Sequence, residues 1–304
     1  MPDFAEVFDD RFHRLLHGSA RIDQLWTGGR WCEGPAYLPA GRYLIWSDIP
    51  NDRLLRWDET DGSVSVFEQP CRNQNGHTLD AQGRLVACEH RGRCVSRIEP
   101  DGSRTVLADR FEGSRLNSPN DVVVKSDGSI WFTDPTYGID SDYEGDRSES
   151  EIGASNVYRI DPETRTVTLV IDDLVKPNGI AFSPDESLLY VSDTGRSHRP
   201  DCEPTIRAYP VAVDHVHDGH GFATCDSGVF DGFRVDTMGN IWSSAGDGVH
   251  VYATDGTLLG KVLIPEPVAN VEFGGPKRNR LFICATTSLY ALYVNARGCT
   301  HPAP

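Results

Sequence analysis

Two carboxylates and four amides occupy one position in six repeated segments of the chain: Glu33, Asn75, Asn120, Asn178, Asp231 and Asn270. If a fold brings them together, they form a ring of oxygen donors. Such donors suit a hard cation, with Ca²⁺ ahead of Mg²⁺ or Mn²⁺. Two carboxylates balance one divalent ion, whereas without a cation they would repel each other and raise a pKa. Asn and Asp also close turns, but six of these residues in register favour a metal site.

The spacing after each of these residues predicts the element that holds it. In every segment an apolar, strand-like run ends 14 or 15 residues further on, at Asp48, Glu89, Asp134, Asp193, Ala245 and Ala285. Asp-Gly pairs between apolar alternations indicate hairpin turns, and helical periodicity is nearly absent after residue 20. Repeats about 40–60 residues apart predict radially arranged units. We therefore expect an all-β, six-bladed β-propeller, whose innermost strands line a channel and place the six polar residues around it.

The length of 304 residues fits a single large domain. Residues 1–20 are expected to form an N-terminal extension with a short helix, because five apolar residues recur there at near-helical spacing. Residues 21–304 are expected to form one propeller domain. The apolar run at residues 22–26 is expected to pair with the last blade and so close the ring, which removes an open sheet edge.

Two polar insertions interrupt the repeats at residues 137–155 and 196–204. Long loops on a rigid scaffold are common walls of binding sites, and both insertions follow the repeated strand of a blade. Residues 140–151 nearly fit a calcium-binding EF-hand loop. Arg147 stands where that loop is normally apolar, and the flanking sequence does not read as two helices. We expect an acidic lid loop here and leave a second Ca²⁺ site open as the alternative.

Composition excludes several other functions. A formal net charge of −16 argues against a nucleic-acid partner. No apolar stretch is long enough to span a membrane, and the N-terminus shows no apolar signal region. Eight cysteines without metal-site spacing indicate free thiols and a cytoplasmic location, with disulfides in a secreted form as the alternative. Serine-hydrolase and nucleotide-binding motifs are absent, and no obligate protein partner is inferred.

Several motifs carry a family resemblance: Glu-Gly-Pro (33–35), Ser-Pro-Asn-Asp (118–121), Pro-Asn-Gly (177–179) and Asp-Gly (231–232). From about residue 25 to its end, the chain resembles the gluconolactonase, regucalcin (senescence marker protein) and luciferin-regenerating-enzyme family. Residues 75–80 and 131–138 are most similar to its bacterial gluconolactonases. The motifs are specific together, although none of them is specific alone.

The resemblance implies a six-bladed propeller with one catalytic divalent cation at its axis. Carried over to this sequence, the metal ligands are Glu33, Asn178 and Asp231, with Asn120 as a fourth ligand or a substrate contact, and Asp231 is the general base. Asn120, Asn75 and His77 are candidate substrate-binding residues. The chain has Ser118 where regucalcin-like members carry an arginine, and the nearest arginine, Arg115, is a further candidate substrate contact.

The activity that follows is metal-dependent hydrolysis of a sugar lactone, with D-glucono-1,5-lactone as the first choice. The cation, Ca²⁺ with Mg²⁺, Mn²⁺ or Zn²⁺ left open, would polarise the carbonyl, and water would attack with Asp231 taking its proton. Two alternatives remain at this point. One is an organophosphate hydrolase of the diisopropyl-fluorophosphatase type, and the other is a non-enzymatic calcium-binding propeller that serves as an interaction module.

Overall fold

Each repeated segment forms a four-stranded antiparallel sheet in the computed structural model, which describes residues 2–300. From the innermost strand outward, the strands of blade 1 are Cys32–Leu38, Tyr43–Asp48, Arg53–Asp58 and Val64–Glu68. Those of blade 2 are Gln74–Leu79, Leu85–Glu89, Cys94–Ile98 and Arg104–Ala108. Those of blade 3 are Val122–Val124, Ile130–Asp134, Asn156–Ile160 and Val167–Ile171.

The second half of the chain repeats this arrangement. Blade 4 contains Pro177–Phe182, Leu188–Asp193, Thr205–Pro210 and His220–Thr224. Blade 5 contains Phe233–Val235, Ile241–Ala245, Gly248–Tyr252 and Leu258–Leu263. Blade 6 contains Val268–Gly274, Arg280–Ala285 and Ser288–Tyr293, with Asp23–Thr27 as its outer strand.

The innermost strands contact one another in cyclic order from blade 1 to blade 6 and back to blade 1. This closed ring confirms the predicted six-bladed propeller. Each apolar run identified in the sequence is the second strand of a blade. Residues 301–304, the end of the predicted domain, lie outside the described residues.

The ring is closed by the two ends of the chain, as predicted. Asp23–Thr27 pairs antiparallel with Ser288–Tyr293, so blade 6 combines one N-terminal strand with three C-terminal strands. The outer edge of blade 6 is therefore made from a segment remote in sequence.

The N-terminal extension differs in part from the expected helix. Ala5–Val7 forms a fifth, outer strand of blade 5, where it pairs with Leu258–Leu263. Only Asp10–Arg14 is helical, as a short 3₁₀ turn in which Phe12 is fully buried. The physical reason is the free edge of blade 5, whose unpaired backbone groups accept an added strand and draw part of the extension into extended structure.

The core lies between neighbouring blades. Trp131 of blade 3 packs edge-on against Phe182 of blade 4, with 5.5 Å between ring centroids, and Trp242 of blade 5 packs the same way on Phe273 of blade 6, at 5.6 Å. All four side chains are almost completely buried. Aromatic pairs of this geometry contribute about 0.5–1.5 kcal/mol beyond the burial of their surface, so these contacts fix the angle between blades.

The remaining helical segments are short and lie between strands: the 3₁₀ turns Ile49–Asn51 and Gly195–Ser197 and the α-helix Tyr137–Asp140. A small hairpin, Arg110–Phe111 with Ser114–Arg115, connects blades 2 and 3. All eight cysteines are free, as the sequence indicates. Within residues 2–300, none of the helices has the length and apolar character needed to cross a membrane.

Candidate active site

One cavity of about 340 Å³ opens where the innermost strands begin. Five of the six polar ring residues line it: Glu33, Asn75, Asn120, Asn178 and Asp231. The sixth, Asn270, lies beside it and donates from Nδ2 to Glu33 Oε2 at 2.9 Å. The structure therefore brings together the four residues predicted as metal ligands.

Hydroxyl groups from the second strands hold the ring residues by their main chains. Each donates to the carbonyl oxygen of a ring residue in the following blade: Ser47 to Asn75 at 3.0 Å, Thr133 to Asn178 at 2.7 Å and Ser192 to Asp231 at 2.8 Å. Because these hydroxyls bond to backbone atoms, the ring side chains stay free to face the cavity. The ring is thus tied together from blade to blade.

Acids that end three of the six second strands account for the spacing of 14 or 15 residues in their own blades. Each accepts a backbone N–H three residues before a ring residue: Asp48 from Arg30 at 2.9 Å, Asp134 from Asn117 at 2.8 Å and Asp193 from Val175 at 2.8 Å. A buried backbone N–H requires a partner, and the carboxylate supplies it within the same blade. In these three blades, the spacing places the end of the second strand beside the loop that leads into the innermost strand.

A serine to alanine change at Ser192 tests this arrangement. Ser192 Oγ accepts from Gly179 N at 2.8 Å and donates to Asp231 O at 2.8 Å. Gly179 N also donates to Asp231 O at 3.2 Å, so neither group is left without a partner. The change still removes two hydrogen bonds of about 0.5–1.5 kcal/mol each, and we expect Ser192→Ala to lower the free energy of unfolding by about 1–3 kcal/mol. Chemical denaturation measures the loss. Ser187→Ala, at an exposed turn, is the control and should stay within about 0.5 kcal/mol; an equal effect of both changes would contradict the assignment.

The cavity has an excess of buried negative charge. Glu33 is only 2% exposed, and its burial, with the nearby Asp121 carboxylate, raises its pKa. Burial and then the Glu33 carboxylate raise the pKa of Asp231 well above its ordinary value, while the Asn178 side chain donates a hydrogen bond that opposes the rise. Two carboxylates and two amide groups without a cationic side chain among them form a donor set that fits one divalent, oxygen-seeking cation.

Asn75 carries a hydrogen-bond acceptor, its Oδ1, that no group within residues 2–300 uses. Its Nδ2 lies 3.2 Å from His90 Nε2, and His90 Nδ1 lies 3.2 Å from the Glu144 carbonyl oxygen. Burial lowers the pKa of His90 to about 4, so the ring is neutral: Nδ1 carries the proton and Nε2 accepts from Asn75. Asn75 Oδ1 is left buried without a hydrogen-bond partner among the described residues, as expected for a group that awaits a ligand.

Both predicted insertions contribute to the cavity wall. Tyr137 and Glu144 come from the first, and Ser197 comes from the second. Tyr137 Oη lies 2.7 Å from Ser197 Oγ and donates to Thr194 Oγ1 at 2.8 Å, so the two loops are joined at the mouth. The sequence predicted the loops but not these residues, because nothing in a polar loop shows which side chain turns inward.

His77 does not line the cavity. It is fully buried, with Nδ1 2.7 Å from Gly34 O and Nε2 3.0 Å from Gln74 Oε1. The strand register shifts between Gln74 and His77, so the alternation that would place His77 on the same side as Asn75 is broken. His77 supports the turn at Gly34 and lies outside the cavity in which we expected it to contact the substrate.

Arg115 does not line the cavity either. It lies in the hairpin between blades 2 and 3, and its backbone N–H donates to Glu151 Oε2 at 2.7 Å. Arg115 therefore lies outside the cavity in which we expected it to contact the substrate. Ser118, at the position of the family's arginine, is buried and donates to Pro135 O at 2.7 Å.

The floor beneath the ring holds an arginine that sequence reasoning missed. Arg234 donates from Nε to Glu272 Oε2 at 2.8 Å, and its Nη1 lies 3.7 Å from Asp121 Oδ2. Asp121 is 2% exposed; burial raises its pKa, and the Arg234 charge opposes the rise. The available signal was their position close after ring residues, since Asp121 directly follows Asn120 and Arg234 comes three residues after Asp231.

Two other clusters of acidic side chains are paired with basic side chains. Asp226, Asp247 and His250 lie close enough to hold a metal, but Lys261 Nζ lies 2.8 Å from Asp226 Oδ1 and 3.0 Å from Asp247 Oδ2. In the 140–151 loop, acids pair instead with basic side chains: Asp140 with Lys176 at 2.6 Å and Asp146 with Arg91 at 3.1 Å. Among residues 2–300, the acids of this loop do not form a metal-binding cluster of three or more.

Comparison with known proteins gives a consistent result. The sequence profile described as SMP-30/Gluconolactonase/LRE-like region matches residues 31–287. A gluconolactonase from Zymomonas mobilis is 30% identical, over 92% of this chain and 83% of that protein. The pentonolactonase XacC of Haloferax volcanii is 31% identical, over 84% and 82%. The structure of a gluconolactonase from Xanthomonas campestris superposes with a TM-score of 0.89 at 40% identity, over 95% of this chain and 94% of that one.

Proposed function

Since the chain belongs to the SMP-30/Gluconolactonase/LRE-like family and is a lactonase-type hydrolase, we propose that it hydrolyses a sugar lactone, D-glucono-1,5-lactone first, with one bound Ca²⁺. The observation that carries the proposal is the convergence of Glu33, Asn178 and Asp231 in one cavity. The volume of about 340 Å³ lies within the range of small-molecule sites. Relatives that act on gluconolactone and on a pentonolactone support this substrate class.

Glu33, Asn178 and Asp231 are the proposed ligands of the cation, and Asn120 is either a fourth ligand or a substrate contact. When bound, a divalent cation keeps the buried carboxylates ionised and polarises the lactone carbonyl. Asn270 holds Glu33 in place through its 2.9 Å hydrogen bond. Ser192 and Ser244 fix the main chain of Asp231, since Ser192 donates to its carbonyl and Ser244 Oγ accepts from its N–H at 2.9 Å.

Asp231 is the proposed general base. It takes a proton from the attacking water while the water oxygen bonds to the carbonyl carbon. As the ring C–O bond breaks, the proton passes from Asp231 to the departing ring oxygen, which leaves an open-chain aldonic acid. Asn75 Oδ1, which has no partner among residues 2–300, is placed to accept a hydrogen bond from a sugar hydroxyl. Substrate contacts are thus proposed for Asn75 and Asn120.

The proposed cellular setting follows from the thiols. Eight free cysteines favour a reducing compartment, and we place the protein in the cytoplasm. Residues 21–304 are proposed to act as one domain on a small-molecule lactone without an obligate protein partner.

Removal of the cation tests the proposed function. After EDTA treatment and desalting, the rate of D-glucono-1,5-lactone hydrolysis should fall at least about 100-fold, because charge stabilisation by the metal is lost. Added Ca²⁺ should restore the rate. Mg²⁺, Mn²⁺ and Zn²⁺ are tested in parallel, with metal content measured on each sample.

The substrate panel should include several aldonolactones and diisopropyl fluorophosphate. Full turnover by protein whose metal content is below one ion per hundred chains would refute the role of the cation. Faster turnover of the phosphofluoridate than of every lactone would refute the proposal that a lactone is the substrate.

A further inference from the structure

The charges that line the cavity are unequal in sign. Among residues 2–300, three lining residues are acids, Glu33, Glu144 and Asp231, and none is lysine or arginine. One divalent cation balances the negative charges of the Glu33 and Asp231 carboxylates. Glu144, which the proposed ligand set does not use, then remains as an additional negative charge in the wall.

The neighbours of Glu144 do not neutralise it. Its Oε2 lies 3.8 Å from Nδ1 of His90, which is buried and neutral. The Lys176 ammonium lowers the pKa of Glu144, but Lys176 Nζ is hydrogen-bonded to Asp140 Oδ2 at 2.6 Å and lies 4.1 Å from the centre of the Tyr137 ring. Its charge is therefore shared with another carboxylate and an aromatic face. Glu144 is placed to act on whatever enters the cavity.

The reaction itself changes the charge of the bound molecule. A sugar lactone is neutral, whereas the aldonate that hydrolysis produces is an anion at neutral pH. A negative group near the reacting centre therefore changes the affinity of the site for the product more than its affinity for the neutral substrate. It disfavours the product, and it equally disfavours a lactone that carries a phosphate, sulfonate or carboxylate.

We propose that Glu144 is the residue by which this cavity distinguishes neutral lactones from anions: it excludes anionic lactones and promotes release of the aldonate product. This inference rests on the proposed function. Glu144 carboxylate oxygens accept hydrogen bonds from the hydroxyls of a neutral sugar, so a polyhydroxy lactone is attracted by the same group that repels its product. At cavity distances, one additional unit charge in a partly solvated site changes affinity for an anion by about tenfold or more.

Glu144→Gln tests the inference, because it removes the charge and keeps the size. Assays are run at pH 8, since burial raises the pKa of Glu144 to about 7. Calorimetric titration of the Ca²⁺-loaded protein with gluconate should give about tenfold tighter binding for the variant than for wild type. The ratio of kcat/KM for a 6-phosphorylated gluconolactone to that for D-glucono-1,5-lactone should rise about tenfold. Glu149→Gln, an exposed acid of the same loop, is the matched control and should change neither value.

Gluconate binding that is no tighter in Glu144→Gln than in wild type would overturn the inference. If that variant is unstable, Glu144→Ala provides the same comparison, because both changes remove the charge. The failure of the proposed function is a separate outcome. In that case the wild-type protein hydrolyses no lactone, whereas a failure of this inference leaves lactone hydrolysis intact and only the response to anions unchanged by the substitution.

Discussion

Asp231→Asn should lower kcat for lactone hydrolysis by about 10³-fold or more while the propeller stays folded. The change removes the proposed proton acceptor, and general base catalysis alone contributes about 10²–10⁴-fold. It also removes one of the two carboxylates that the cation requires. The fold should survive because Ser192 and Ser244 hold Asp231 by its main chain, and the amide has nearly the same size. Steady-state kinetics at saturating Ca²⁺, together with a thermal melt, measure both effects.

The two roles of Asp231 can be separated. Asp218→Asn, at an exposed site, is the control and should retain the wild-type rate. If Asp231→Asn regains its rate at high Ca²⁺, Asp231 is a ligand and not the base. Retention of more than a tenth of wild-type kcat at ordinary Ca²⁺ would contradict both roles.

Gly34→Ala should destabilise the protein by roughly 2–5 kcal/mol and lower activity at least about 100-fold. Gly34 has φ +54°, a conformation that costs a residue with a side chain about 1–2 kcal/mol. A Cβ there would also lie 1.7 Å from Asn75 O, and relief of such an overlap costs about 1–3 kcal/mol. The backbone shift would move both Glu33 and Asn75. Denaturant unfolding and lactone kinetics measure the two losses.

Gly62 provides the matched control for the backbone conformation. Its φ is +74°, but nothing lies within 4 Å of an added Cβ. Gly62→Ala should therefore cost only about 1–2 kcal/mol and leave lactone hydrolysis unchanged. Equal destabilisation by the two changes would mean that the overlap of the added Cβ with Asn75 O in blade 2 contributes nothing to the loss of stability.

The fold could be predicted from the sequence because its signals are local and repeated. Each second strand combines an apolar run with a fixed distance to a polar residue, and six copies make the pattern unambiguous. The physical basis is now visible: acids such as Asp134 and Asp193 at the strand ends bind the loop ahead of a ring residue. Closure by Asp23–Thr27 was also predictable, since an apolar strand left over at the N-terminus must pair with an open edge.

The parts of the site that the sequence did not reveal depend on long-range geometry. Glu144 reaches the cavity because its loop crosses to His90 of blade 2, which no periodicity records. Arg234 reaches Asp121 from a different blade. His77 lies outside the cavity because the register shift beside Gly76 breaks the alternation that would put it on the same side of the strand as Asn75. Such shifts and crossings arise from packing, and single-sequence patterns do not encode them.

The closure of blade 6 has a consequence for synthesis of the protein. Glu33 and Asn270 meet across the cavity wall although they lie 237 positions apart in the sequence, and the outer strand of blade 6 is made before any other strand of that blade. Domains form as their segments leave the ribosome, and contacts between remote segments form slowly. The early blades can therefore fold while the chain is growing, but the cavity is incomplete until the last strands have been translated. A chain that stops before blade 6 has every carboxylate of the proposed metal site and still lacks the enclosure that holds Glu33 in position.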